Sequence, residues 1–156
     1  MPKDSPSIAK NRMRRCFRAI LDPHPSEKEI FHLWDHFGSA CAYCGTPLDR
    51  SARTGHLDHV LSSSAGGTNA IHNHVLSCAR CNGDEKRERE WREFLLTKVT
   101  DADVAKQRLT RIEEWLSRSP AEEVDEQRRM EAEAIVERAL SSFDAAVKQL
   151  RALRES

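Results

Sequence analysis

The chain has 156 residues, 38% of them hydrophobic and 32% charged, with 25 basic residues balancing 25 acidic ones. That length suits one domain with an appended helical extension, and that much charge excludes a single large apolar core in favour of amphipathic helices around a small one. No apolar run approaches a bilayer span and the segment MPKDSPSIAKNRMRR lacks an apolar signal region, so the expectation is an intracellular, cytoplasmic protein without membrane contact.

Residues 7–21 read as a helix with Met13, Cys16, Phe17 and Ile20 on one side. Lys10, Arg14 and Arg18 fall on another face as a basic stripe. The first twenty residues hold six Lys/Arg against Asp4, a basic face available to phosphates although the whole chain is neutral. The plainer reading of that run is a solvated helix face. Asp22-Pro23-His24-Pro25 ends the helix, because proline lacks an N–H and disfavours helix before it. Ser26 and Glu29 form a capping box for a second helix, with Ile30, Leu33, Trp34 and Phe37 as its apolar face and Gly38 as its stop.

Strands are expected at residues 56–61 and 73–77, joined by a loop that turns at Gly66-Gly67. From about Ala79 the pattern is helical to about Val99, with Trp91, Phe94 and Leu95 facing inward. A further helix carries Ala105, Leu109, Ile112 and Leu116, and Ser119 with Glu122 makes a second capping box. The last helix, from about Pro120 to Arg154, repeats Val136, Leu140, Phe143, Val147 and Leu150. That stripe suits packing on the 103–117 helix, or pairing with another chain as a homodimer or with a regulatory partner. The expected organisation is N-terminal helices at 1–38, a core at 39–99 and a C-terminal helical hairpin at 100–156.

The cysteines organise the centre. Cys41/Cys44 and Cys78/Cys81 are two CxxC pairs, and Cys16 is left over as a buried packing thiol. Four thiolates fill a tetrahedral zinc site and leave no position for substrate, so this zinc is structural. Between and just after the pairs lie Asp58-His59, Asn73 and Asn82, of which His59 suits a general base and the oxygens of Asp58 and Asn82 suit a hard cation.

These residues resemble the HNH endonuclease family, the ββα-metal nucleases. The resemblance rests on Asp58-His59, on Asn73 fourteen residues later and Asn82 nine beyond that. The CAYCG opening, Gly66-Gly67 and the CARCN ending match the zinc-stapled branch. It covers roughly residues 39–90, and Asn82 makes it an H-N-N variant. The implied fold is α+β and mostly helical, with a ββα-metal core, a four-cysteine zinc, N-terminal helices and a C-terminal helical extension. The resemblance implies His59 as general base, Asn73 as the brace of its strand, and Asp58 and Asn82 as ligands of Mg²⁺ or Mn²⁺. The implied activity is DNA phosphodiester hydrolysis by nicking or double-strand cutting, leaving 5′-phosphate and 3′-hydroxyl ends. Restriction and anti-phage defence enzymes are among the family's members. Two departures stand out. No proline follows His59 in Val60-Leu61-Ser62-Ser63, and Lys86 occupies a position where some branches place a third His ligand. Lys86 and Arg80 are read as phosphate contacts, with surface salt bridges as the equal alternative. His72 and His74 are read as partly exposed strand or loop residues. The competing reading is a catalytically silent, zinc-stabilised adaptor for nucleic acid or protein.

Overall fold

The computed structural model describes residues 5–118 and 126–155. They fall into two compact units, one made by the first and last helices and one by the residues from His24 onward through the fourth helix.

In the first unit, α1 (Pro6–Leu21) starts at Ser5, whose Oγ accepts the Ile8 N–H at 3.3 Å, with Pro6 in the first turn where no N–H is needed. It packs against α5 (Glu126–Glu155). Met13 and Phe17 of α1, and Val136, Phe143 and Val147 of α5, are half-buried, and Leu140 of α5 is buried. Lys10 forms an ion pair with Asp144. The apolar stripe of α5 thus has α1 as its main partner, where sequence reasoning favoured the 103–117 helix. The reason lies in that other helix: its apolar residues Ala105, Ile112 and Trp115 are already covered in the core of the second unit. Cys16 is exposed, because the two-helix pair is too thin to enclose the residues flanking its seam. The Ser119–Glu122 capping box lies outside the described residues.

The second unit opens with α2 (Glu27–His36). Its capping box is reciprocal: Ser26 Oγ accepts the Glu29 N–H at 3.4 Å, and Glu29 Oε2 accepts the Ser26 N–H at 2.7 Å. Leu33, Trp34 and Phe37 point into a core that also holds Tyr43, Ile71, Val75, Leu76, Trp91, Phe94, Leu95 and Ile112. The only two strands among the described residues, β1 (Gly55–His59) and β2 (His74–Cys78), pair antiparallel with Gly55 opposite Cys78 and His59 opposite His74. Short 3₁₀ turns at Ser63–Ala65 and Ile71–Asn73 lie on the connection between them.

After β2 the chain does not run as one helix to Val99. Arg80–Lys86 is a wide π-type turn, and α3 (Trp91–Lys98) starts afresh, with Glu90 accepting the Arg92 and Glu93 N–H groups. The break falls at Arg87, whose φ is +49°. α4 (Ala102–Leu116) then begins at Asp101, which accepts the Asp103 and Val104 N–H groups. The architecture is α+β and mostly helical, with helices flanking a two-stranded ββα core, as the sequence led us to expect. Among the described residues no helix is long and apolar enough to cross a membrane.

Candidate active site and metal centre

The metal centre is built by two tight turns. Cys41 donates its N–H to Thr46 O at 2.9 Å, Gly45 donates to Cys41 O at 2.8 Å, and Ala42 ties the turn to β2 through Leu76 O at 2.8 Å. Gly45 has φ +75°, and a Cβ there would stand 2.1 Å from Arg108 Nη2. Arg108 of α4 reaches in to bond Tyr43 O at 2.7 Å, so the glycine lets a guanidinium close the turn. The second pair comes from the end of β2 and the start of the π-type turn.

The four Sγ atoms lie within 4.8 Å of one another, and Cys44 Sγ is 3.8 Å from Cys78 Sγ. A tetrahedral zinc–thiolate site with bonds of about 2.3 Å separates its sulfurs by about 3.8 Å, a spacing the Cys44–Cys78 pair matches and the whole cluster approaches. The thiols also share protons. A hydrogen bond from Cys81 draws the Cys41 thiol down, and the same contact pushes Cys81 up. A metal ion that displaces those protons meets ligands already converged on one point. Cys44 Sγ further contacts Thr46 Oγ1 at 3.1 Å. Cys41 and Cys81 are buried, Cys44 and Cys78 half-buried. The arrangement is that of a structural metal site.

At the end of β1, Asp58, His59, Ser62, Ser64, Asn82, Arg87 and Glu88 line a cleft of about 360 Å³. Adjacent strand residues point to opposite faces, so Asp58 and His59 share the cleft only because β1 ends at His59. Asp58 is buried. Its Oδ2 accepts the Tyr43 hydroxyl at 2.6 Å and faces Lys86 Nζ at 3.2 Å. Burial raises the Asp58 pKa above the ordinary carboxylate range, while Tyr43, Lys86 and His59 pull it back. Tyr43 is itself pushed up, chiefly by burial and then by the Asp58 charge. His59 Nε2 lies 3.0 Å from Asn69 Oδ1, and the His59 ring sits 4.1 Å from that of the buried His74.

Asn73 does not line the cleft; it holds the loop that forms one wall. Its Oδ1 accepts the Leu61 N–H at 2.9 Å, and its Nδ2 donates to Leu61 O at 2.9 Å and Thr68 O at 2.8 Å. Val60 donates to Asn73 O at 2.8 Å, which ties the chain just past the end of β1 to the turn before β2. Gly67 makes that clasp feasible, since a Cβ there would meet Leu61 O at 1.8 Å and Asn73 Nδ2 at 2.8 Å. The opposite wall is joined to the loop by Ser64 Oγ, which donates to Glu88 Oε2 at 2.9 Å. Hydrogen bonds from Ser62 and then Ser64 lower the Glu88 pKa.

The structure therefore brings Asp58, His59 and Asn82 to one cleft, with Asn73 bracing its loop. It places the two suspected phosphate contacts elsewhere. Lys86 is only 2% exposed, with Nζ on Asp58 and on His59 O at 2.8 Å. It is neither at the surface nor in a surface salt bridge, because the wide turn carries it inward beside Asp58. Arg80 is exposed, pairs with Glu85 at 2.6 Å and does not line the cleft. His72 is half-buried, with Nδ1 3.1 Å from Trp115 O, whereas His74 is fully inside the core and not partly exposed. Sequence reasoning missed Arg87 and Glu88 as cleft residues and Tyr43 as a partner of Asp58. Arg87 and Glu88 sit in the charge run from Asp84 to Glu90, which carries no sign of which members turn inward. Tyr43 had a signal in its place inside the first CxxC, but that fits a turn residue equally well.

Comparison with protein families matches residues 41–88 to the model of the HNH endonuclease. The match contains every residue of the cleft and all four clustered cysteines, which fit its CxxC…CxxC branch. A search of curated proteins returned no match.

Proposed function

Taking as premise that residues 41–88 are an HNH endonuclease domain, a type that hydrolyses nucleic acids, we propose that this protein cuts DNA phosphodiester bonds with a divalent cation held by Asp58 and Asn82 and with His59 as general base. The observation that carries this reading is the convergence of a strand end, a loop and a helical turn on one cleft that presents a carboxylate, an imidazole and an amide. Both donors fit the cation. A carboxylate and an amide oxygen are hard ligands suited to Mg²⁺ or Mn²⁺, and Tyr43 and Lys86 both contact Asp58 through Oδ2, so we assign Oδ1 to the ion. Such an ion supplies positive charge to the phosphate and to the departing oxygen.

The chain's own residues do the rest. An Asn oxygen beside Nε2 fixes the His59 tautomer that donates from Nε2, which leaves Nδ1 as the proton acceptor. That nitrogen takes a proton from water, the oxygen attacks phosphorus, and the bond to the 3′ oxygen breaks; the departing oxygen takes a proton from solvent water, giving 5′-phosphate and 3′-hydroxyl ends. Lys86 and Asn73 set the base from behind, one by holding the His59 carbonyl and the other by locking Leu61. α1 adds a surface for a polyanion: Arg14, Arg15 and Arg18 are exposed along one side, and the helix has no acidic residue.

The test is nicking of supercoiled plasmid across a metal series, with single-stranded DNA and RNA beside it. Wild type is expected to cut with Mg²⁺ or Mn²⁺, and His59→Ala to lose that activity while keeping its zinc. Equal behaviour of the two proteins refutes the assignment.

A further inference from the structure

Resting on the reading above, we infer that Arg87 is the residue that grips the scissile phosphate, the role sequence reasoning gave to Lys86. Three independent observations meet there. Arg87 lines the cleft beside Asp58, His59 and Asn82. Its backbone stands at φ +49° and ψ −123°, a region that side-chain-bearing residues rarely enter. Its guanidinium has no hydrogen bond or ion pair among the described residues, although Glu88 and Glu90 lie close in sequence.

Each observation has a plain alternative, but together they do not. An exposed arginine is ordinary. An exposed arginine held in strained backbone is not, because glycine would sit there without cost and nothing in the packing calls for the side chain. The strain also has a geometric cause. Lys86 must turn inward to reach Asp58 and His59 O, while Glu88 must reach outward to Ser64. One residue between them reverses the chain, and its side chain is thrown toward the cleft. The position therefore demands glycine on conformational grounds and carries the one side chain best suited to a phosphate. A guanidinium offers paired donors to two non-bridging oxygens, and it brings the positive charge that Lys86, bound to Asp58, does not present.

Arg87→Gly separates these demands. Relief of strain is expected to leave the melting temperature at or above that of wild type. Plasmid nicking is expected to fall about a hundredfold in kcat/KM, the scale of removing one donor from a charge-stabilising site. In a His59→Ala background, binding of a short labelled duplex is followed by anisotropy over a salt series. There Arg87→Gly is expected to flatten the slope of log K against log salt by about 0.9, the loss of one phosphate contact. Arg87→Lys keeps the charge and is expected to retain the slope while cutting more slowly. An unchanged slope with unchanged nicking overturns the inference and leaves the nuclease reading standing. Loss of activity together with a lowered melting temperature overturns it too, since that marks a structural residue. Wild type that neither binds nor cuts refutes both readings.

Discussion

The sharpest energetic consequence of the structure concerns Lys86. Its ammonium and the Asp58 carboxylate are 2% and 7% exposed and 3.2 Å apart. Removing one member of a buried pair costs about 3–5 kcal/mol, because the other charge is left without compensation. Lys86→Met keeps most of the apolar stem and removes the charge, so it isolates this effect. Asp58 has an escape: it can take up a proton. At pH 7 that costs about 1.36 kcal/mol for each unit between the pH and the unfolded carboxylate value near 3.9, or about 4 kcal/mol. The escape therefore caps the defect at a value inside the range for a broken pair. At pH 5 the same arithmetic gives about 1.5 kcal/mol. The sign is that of a raised carboxylate. Burial already lifts Asp58 in the wild type, and losing Lys86 removes one of the influences that lower it. Stability is thus retained at low pH and lost as pH rises above the unfolded value. The assay is urea unfolding of zinc-loaded wild type and Lys86→Met at both pH values, without other divalent ions. The reasoning fails if the defect is below about 1 kcal/mol at pH 7, or if it does not shrink at pH 5. The double variant Asp58→Leu/Lys86→Met should recover most of the loss, since apolar pairs replace buried ion pairs at little or no cost.

Three other outcomes are expected. Gly67→Ala places a methyl 1.8 Å from Leu61 O and breaks the Asn73 clasp; single-turnover nicking should drop about a hundredfold with zinc content unchanged. Chelation, or Cys78→Ser, should unfold the unit that holds the core. Structural zinc binding is worth about 10–16 kcal/mol, as much as a whole domain's stability, and loss of amide-exchange protection in β1 and β2 would report it. Replacing Arg14, Arg15 and Arg18 together by Gln should lower the salt slope of duplex binding by about 2.7 if all three meet phosphates, and an unchanged slope would leave α1 a solvated face.

What was legible in the sequence was whatever depends on local spacing. The Ser26–Glu29 box, the strand pair and the two CxxC turns are set by residues a few positions apart, and each was found where its pattern put it. Asp58, His59, Asn73 and Asn82 were legible together because their order and spacing match a known family pattern; three of them line one cleft, and the Asn73 amide lies on the Leu61 backbone. The misreadings have a different origin. Lys86 looks like a surface lysine because its burial depends on a carboxylate nearly thirty residues away and on a helical turn wider than the common one. The apolar stripe of α5 states that a partner exists without saying which, and α1 lies at the far end of the sequence. Arg87 was hidden by its neighbours, since one inward-turned member of a charge run leaves no mark in composition.

The charges of the cleft suggest how its parts depend on one another on the proposed reading. Asp58 and Glu88 are balanced by Arg87 at the wall and Lys86 behind it, so the empty cleft exerts little net pull on a phosphodiester. A divalent cation tips that balance to positive just where the backbone must settle. Cation and phosphate then strengthen each other's binding, and by linkage the effect is reciprocal: DNA raises the affinity for the ion by the factor by which the ion raises the affinity for DNA. Lys86 is what makes this arrangement compatible with a folded protein. Without it, Asp58 would protonate in its buried position and lose the charge that holds the ion. With it, Oδ2 has a cationic partner that favours the ionised carboxylate against burial, and the charges of the site balance until the cation arrives. A lysine at the surface, gripping phosphate directly, would leave Asp58 without its cationic partner; on the proposed reading the phosphate falls to Arg87 instead.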